Sequence, residues 1–274
     1  MRILVTGHQG FIGKNMCLHL MNQGHDVEGW EYIPNTVPDP ANYDWVVHLG
    51  AITDTTCRDV DQVLEQNLDF SLRLLQVCDM VGTNFQYASS ASVYGDLTTF
   101  NEEGPHYPMN PYAWSKYLFD KFVNEHIDGF TINVQGFRFF NVYGNYEDHK
   151  GKMASVFHKF KNQARTTQNI QIFENSENYL RDFICVEDVC NIMSQFLFKD
   201  VNGIYNLGTG TAISFKKVAE YIARQYNSSV QEIPMPKELE KQYQRFTKSN
   251  NQLLLAEIGD YKFTTVFEWI DKNG

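Results

Sequence analysis

The 274-residue sequence has no run of about 18 apolar residues, the length that a membrane-crossing helix requires. Its opening residues, MRILVTG, enter a strand pattern at once and leave no room for a charged segment followed by an apolar leader. Cysteine is scarce: Cys17, Cys57, Cys78, Cys185 and Cys190 are odd in number and scattered, which excludes a disulfide scaffold and a CxxC zinc ribbon and predicts a reducing, cytoplasmic setting. The eight histidines form no HxxxH pair, so no metal site is expected. Positive charge is also short, with 23 Lys+Arg against 33 Asp+Glu and a net charge of -10. That balance excludes a broad phosphate-binding surface, so neither nucleic acid nor a membrane is an expected partner, and an anionic ligand would need a local basic pocket. What is present is 43% hydrophobic residues, enough for one large domain or a domain with a smaller lobe.

Arg2 to Thr6 reads as a short buried strand, and Phe11 to Met21 repeats apolar residues at helical spacing until Gly24. Strands are predicted over 25–30 and 44–51, a long helix over 60–80, and a strand from Asn84 that ends in a serine-rich loop. A helix over 111–126 and a strand over 131–137 continue the alternation, which predicts an α/β fold with a doubly wound parallel sheet. After about residue 145 the alternation weakens, and the Pro-containing stretch EIPMPKELEKQ interrupts the last third, as expected of a smaller C-terminal lobe.

Between the first strand and helix, TGHQGFIG spaces Gly7, Gly10 and Gly13 three residues apart. Gly7 permits a tight turn, Gly10 lets a pyrophosphate approach the backbone, and Gly13 allows helix to pack on strand, while Phe11 and Ile12 open the helix whose N-terminus faces the anion. Glu31 follows 18 residues after Gly13, where a carboxylate can accept hydrogen bonds from ribose hydroxyls. No Lys or Arg lies between Asp26 and Asp44, so a 2'-phosphate would meet an uncompensated carboxylate, and NAD is expected over NADP. The stretch from Glu31 to Asp44 is too short for a helix and a strand, which predicts a crossover reduced to a loop.

In NPYAWSK, Asn110 is a cap, Pro111 opens a helix, and Tyr112 and Lys116 share one face. A phenol with an ordinary pKa of about 10 is a poor base, but a neighbouring ammonium and an oxidised nicotinamide favour its anion. Tyr112 can then accept a proton from a substrate hydroxyl as hydride leaves its carbon, with Lys116 holding the ribose and Ser90 bonded to the same hydroxyl.

TGHQGFIG, HLGA, YASSASVYG, NPYAWSK, RDFICVEDV and NLGTG together resemble the extended short-chain dehydrogenase/reductases, the group of nucleotide-sugar epimerases and dehydratases. The resemblance implies a Rossmann domain over 1–145, to which later segments return, and a lobe over 146–274 that mainly grips the nucleotide sugar. It also implies that Leu49, Gly50, Ala51, Asn67 and Val142 line the cofactor, and that the protein forms a homo-oligomer. Dehydratases of the group resemble one another in an Asp-Glu pair within the serine loop; here that loop is Ser90, Ala91, Ser92, Val93 and Tyr94, which leaves epimerisation or simple reduction.

A narrower similarity, to bacterial ADP-glycero-manno-heptose 6-epimerases, is carried by GFRFFNVYGNYEDHKGKMASV, IFENSENYLRDF, GIYNLGTGTAISF and IPMPKELEKQYQRFTKSN. It implies that Lys150 is a second acid/base opposite Tyr112, and that Asn141, Lys152, His158, Phe173, Glu174, Asn175, Ser176, Arg181 and Tyr243 contact substrate. Inverting a carbinol centre through a ketone gives such a lysine a use, because the returning oxygen lies elsewhere and needs its own proton donor. A fixed charge on pyrophosphate and a solvated surface lysine are the competing readings of Lys150. Two departures stand out: Lys152 replaces a small hydroxyl residue of the subfamily, and the shortened crossover lacks the basic residues with which relatives hold NADP. A UDP-sugar 4-epimerase or related oxidoreductase, and an inactive NAD-sensing protein, are the alternative functions.

Overall fold

The computed structural model describes residues 1–237 and 244–273, without the side chain of Lys152. Two compact units emerge, Met1–Gly95 with Pro105–Phe139 and Cys190–Asn206, and Asp96–Gly104 with Phe140–Val189 and Leu207–Gly274.

The first unit is built around strands β1 (Arg2–Thr6), β2 (Asp26–Trp30), β3 (Trp45–His48), β4 (Asn84–Ser90) and β5 (Val134–Phe139). With β9 (Gly203–Leu207) they form a six-stranded sheet in the order β2-β1-β3-β4-β5-β9. Strand β1 pairs parallel with β2 and β3, β3 with β4, and β4 with β5. The run from β2 to β3 holds no helix, as its length predicted, and carries Pro34, Pro38 and Pro40 instead. Helices α1 (Phe11–Asn22), α2 (Val60–Leu64), α3 (Phe70–Val81) and α4 (Pro111–His126) cover the sheet's connections. Leu4, Val46, Phe70, Leu74, Phe85, Phe119 and Val134 form one buried cluster, each side chain contributing about 1.5–3 kcal/mol of burial.

Three sequence-predicted boundaries move, each for a local reason. The expected long helix over 60–80 is interrupted by a π-helical turn, Glu65–Asp69, which brings the Asn67 side chain inward. The strand expected over 131–137 starts at Val134, because Thr131 gives its N–H and hydroxyl to Asp79. The strand expected to reach Ala51 stops at His48, because Gly50 turns against the backbone of Gly7.

The second unit contains β6 (Asn141–Tyr143), α5 (Val156–Thr167), β7 (Asn169–Phe173), β8 (Leu180–Cys185), β10 (Ala212–Ser214), α7 (Phe215–Gln225) and β11 (Ser229–Ile233). Helix α6 (Val186–Phe196) precedes β9, and α8 (Gln252–Ile258) and α9 (Val266–Asn273) close the described chain. Here β10-β8-β6 form a mixed three-stranded sheet and β7 pairs parallel with β11. Phe157, Phe160, Phe183, Phe215, Val218 and Ile222 build its core. The buried carboxylate of Asp182 accepts the N–H groups of Thr209, Gly210 and Ser249, tying two loops to β8.

Candidate active site

The three glycines of the first turn divide their work sterically. A Cβ on Gly7, which has φ +70°, would stand 2.5 Å from Gly50 Cα, and one on Gly13 only 2.0 Å from the Gly7 carbonyl oxygen. On Gly10 it would meet nothing within 4 Å except that oxygen, at 3.2 Å, so this position opens toward a ligand. Gly10 is also the N-cap of α1, and no side chain caps the helix there. An open cradle at an uncapped helix N-terminus fits a dinucleotide pyrophosphate. Leu49 and Gly50 pack beside the turn, and Glu31, one residue past β2, accepts the Gln9 N–H at 2.7 Å and stands 3.0 Å from His8 Nδ1.

Asn67 does not present its amide as an open lining group. Its Oδ1 accepts the Ile52 N–H at 2.8 Å while Nδ2 donates to the Ile52 carbonyl and to Ser115 Oγ, clamping the 50–52 loop to α4. Beneath this clamp Ser71 Oγ donates to the Asn67 carbonyl, so it accepts from His48 Nε2–H, and His48 Nδ1 in turn accepts from Thr6 Oγ1 at 2.6 Å. Burial and the Lys116 charge push His48 down to about 3, which keeps this relay neutral.

Helix α4 starts as its sequence predicts, with Asn110 Oδ1 accepting the Ala113 N–H at 2.9 Å and Pro111 in the first turn. Its Tyr112 phenol is raised above the ordinary range by burial and by the Asp120 charge, while a hydrogen bond with Ser90 draws it back. The expected acidic phenol rests on the ammonium and an oxidised nicotinamide together; in the chain alone burial holds it high. Ser90 caps the short turn 91–94 by accepting the Ser92 N–H. Lys116 is buried and donates to the Ala88 carbonyl at 2.8 Å; burial lowers its pKa to about 8, with Asp120 opposing the fall.

In the second unit, Lys150 lies on the 3₁₀ stretch Asp148–Met153, which is kinked at Gly151 (φ +51°). Its ammonium stands 3.6 Å from Glu147, a carboxylate only 1% exposed that also accepts from Gly144 N–H, Ser155 N–H and Ser155 Oγ. Burial lowers the Lys150 pKa and Glu147 resists. Asn141 and Val142 form the start of β6, and Asn141 Oδ1 accepts from Thr247. His158 sits in the first turn of α5, bonded to Asn162. Phe173 ends β7 and Glu174, Asn175 and Ser176 form the turn that follows, with Asn175 left-handed (φ +61°) and the Ser176 hydroxyl buried without a partner. Arg181 is buried, donating to the Leu180 and Gln244 carbonyls and lying over the Phe215 ring. Tyr243 and the Lys152 side chain lie outside the described residues.

The buried carboxylates that act on Lys116 and Lys150, Asp120 and Glu147, escaped the sequence reading. Their signals were present, Asp120 one turn beyond Lys116 and Glu147 three residues before Lys150, but an acidic residue at either place is ordinarily solvated. All five cysteines are free thiols, and among the described residues no three His, Cys, Asp or Glu side chains gather as a metal site and no helix is long and apolar enough to cross a membrane.

Known proteins give this geometry its context. An ADP-L-glycero-D-manno-heptose-6-epimerase from Helicobacter pylori superposes with a TM-score of 0.87 at 26% identity, over 99% of this chain and 94% of that one. A UDP-glucose 4-epimerase from Thermus thermophilus, solved in complex with NAD, gives 0.81 at 25% identity over 98% and 96% of the two chains. For a UDP-N-acetylglucosamine 4-epimerase from Methanobrevibacter ruminantium the TM-score is 0.85 at 20% identity over 98% and 97%, a likeness of fold. The sequence profile of the NAD-dependent epimerase/dehydratase family matches residues 3–208, and the chain belongs to that family.

Proposed function

We propose that the chain is a nucleotide-sugar epimerase that inverts a carbinol centre through a transient ketone, acting on an ADP-activated glycero-manno-heptose at carbon six. The observation that carries this reading is the Tyr112 phenol, hydrogen-bonded with Ser90 and one turn from the buried Lys116, in the unit whose glycine turn fits a dinucleotide. The heptose assignment is supported by the HKGKMASV segment and by the similarity to the Helicobacter pylori enzyme.

In this reading a bound nicotinamide supplies a reversible hydride sink, and the remaining work falls to side chains. Tyr112 Oη exchanges the carbinol proton, Ser90 Oγ orients that hydroxyl, and the Lys116 ammonium holds the ribose and offsets negative charge as the phenol ionises. Lys150 delivers the proton to the inverted oxygen, and burial, which lowers its pKa against the pull of Glu147, makes that proton easier to release. Asn141, Val142, His158 and residues 173–176 supply candidate contacts to cofactor and sugar nucleotide. NAD is preferred over NADP because Glu31 stands at the lip of the glycine turn, where a carboxylate accepts from ribose hydroxyls and repels a phosphate.

Incubating the purified protein with ADP-, UDP-, GDP- and dTDP-sugars, with product stereochemistry followed by NMR, tests the proposal. Inversion at carbon six of an ADP-heptose is expected. Inversion at carbon four of a UDP-sugar would replace the substrate assignment with the second reading, which the Thermus thermophilus similarity favours. Absence of turnover across the panel, with NAD bound, would remove the enzymatic reading.

A further inference from the structure

Beneath Tyr112 and Lys116 the first unit encloses a charged pair that the proposed reaction does not use. Asp120, on the same face of α4 one turn beyond Lys116, is 1% exposed. Its Oδ2 accepts from Arg138 Nε at 2.7 Å and Ser89 Oγ at 2.8 Å, and its Oδ1 accepts from the Tyr87 hydroxyl at 3.0 Å. Ser89 and Arg138 are cross-strand partners of β4 and β5, so both side chains leave the sheet on the face that receives Asp120. Gly136, also on β5, leaves the space for Tyr87: a Cβ there would stand 2.4 Å from the ring. Arg138 then reaches away from the lysine, donating to the Tyr94 hydroxyl at 2.9 Å, and Tyr94 donates to Asn206 at 2.8 Å.

Burying an ion pair of this kind is no efficient source of stability, since apolar residues of like volume commonly serve as well. Its placement suggests another use. Lys116 donates to the carbonyl of Ala88, and the next residue, Ser89, donates to Asp120. Lysine and aspartate thus brace consecutive residues of β4 directly before Ser90. We propose that Asp120, held by Arg138, is a positioning residue that fixes the β4 end against α4 and keeps the buried Lys116 ammonium charged. The proposal rests on the reading of Tyr112 and Lys116 as catalytic only for its consequence in turnover.

The other titratable groups around this cluster move away from neutrality. Burial, with the charges of Lys116 and Arg138 respectively, lowers His48 to about 3 and His106 to about 4. Burial and Asp120 raise Tyr87 and Tyr112, the latter resisted by Ser90, whereas burial takes Lys116 to about 8 against the pull of Asp120. A titration near pH 8 in this cluster therefore reports Lys116.

The test is a ¹³Cε NMR titration of Lys116 in the full-length, cofactor-free protein, assigned with Lys116→Arg, alongside the alkaline limb of kcat. Because the Asp120 charge opposes the fall in the Lys116 pKa, Asp120→Asn should move the midpoint down and narrow the activity profile from the alkaline side. Asp120→Glu should restore most of it. Arg138→Gln, which keeps the carboxylate but frees it from its guanidinium, should move the midpoint up, and so keeps the proposal testable if Asp120→Asn does not fold. Midpoints unchanged in the folded variants would overturn the proposal. Tyr112→Phe separates the two readings: full turnover in that variant would remove the catalytic role of the tyrosine, while the shift in Lys116 would still stand or fall on Asp120.

Discussion

Helix α4 and the 144–155 segment each place a lysine near a buried carboxylate, but what fixes the lysine differs. On α4, Tyr112, Lys116 and Asp120 share one face by helical spacing, and the helix is started by Asn110 and Pro111. Helical spacing thus puts Tyr112, Lys116 and Asp120 on one face before any tertiary contact forms. In the 144–155 segment the backbone is a short 3₁₀ stretch broken at Gly151, and Lys150 is held because Glu147 accepts bonds from both ends of the loop, Gly144 and Ser155. A regular element can present a lysine by its period alone; an irregular one needs a buried hub, and the hub becomes as necessary as the residue it holds.

The comparison can be broken from either side. Removing the phenolic oxygen in Tyr112→Phe should lower kcat by about 10³-fold, within the range for loss of general acid–base catalysis, with little change in melting temperature. For Lys150→Met a fall of about 10²-fold in kcat at constant KM is expected in steady-state kinetics; a rise in KM alone would assign Lys150 to binding. Glu147→Gln sharpens the contrast, because it should destabilise the loop by about 2 kcal/mol in denaturant titrations, the scale of hydrogen bonds to a charged group. It should also lower the Lys150 pKa further, since Glu147 opposes the fall caused by burial, and so move the alkaline limb of kcat to lower pH.

Smaller effects are expected at the cofactor turn. Glu31→Gln removes a charge from its lip and should shift the ratio of NAD to NADP affinity by about tenfold toward NADP in calorimetry, or about 1.4 kcal/mol. His48 offers a pH test of the relay beneath the Asn67 clamp. Its pKa is depressed in the folded chain to about 3 from an ordinary 6.5, so unfolding takes up a proton between those values. Its contribution to stability is complete above pH 6.5 and is lost as pH falls toward 3, at a cost of about 1 kcal/mol between pH 6.5 and 5.5. Chemical denaturation of His48→Gln should show that much less pH dependence over the same interval.

Much of the first unit was legible because its signals are local and periodic: the glycine spacing, the buried run of β1, the cap and face of α4, and a β2–β3 connection too short for a helix. The misplaced boundaries lie where a distant partner intervenes, as when Asn67 turns inward to Ile52 and Ser115, or Thr131 is drawn to Asp79. For the site, spacing grouped Ser90, Tyr112 and Lys116, and only the family resemblance pointed to Lys150. Arg181 donates to backbone carbonyls and lies over the Phe215 ring, contacts no motif displays.

The sequence by itself determined the alternating α/β order, the glycine cradle and the shared helical face of Tyr112 and Lys116, because each depends on steric or periodic rules that act over a few residues. Tertiary structure alone decided which carboxylates are buried beside which lysines. Asp120 and Glu147 read as ordinary surface acids until residues as remote as Ser89 and Arg138, or Gly144 and Ser155, close around them and remove the water that would otherwise screen their charge.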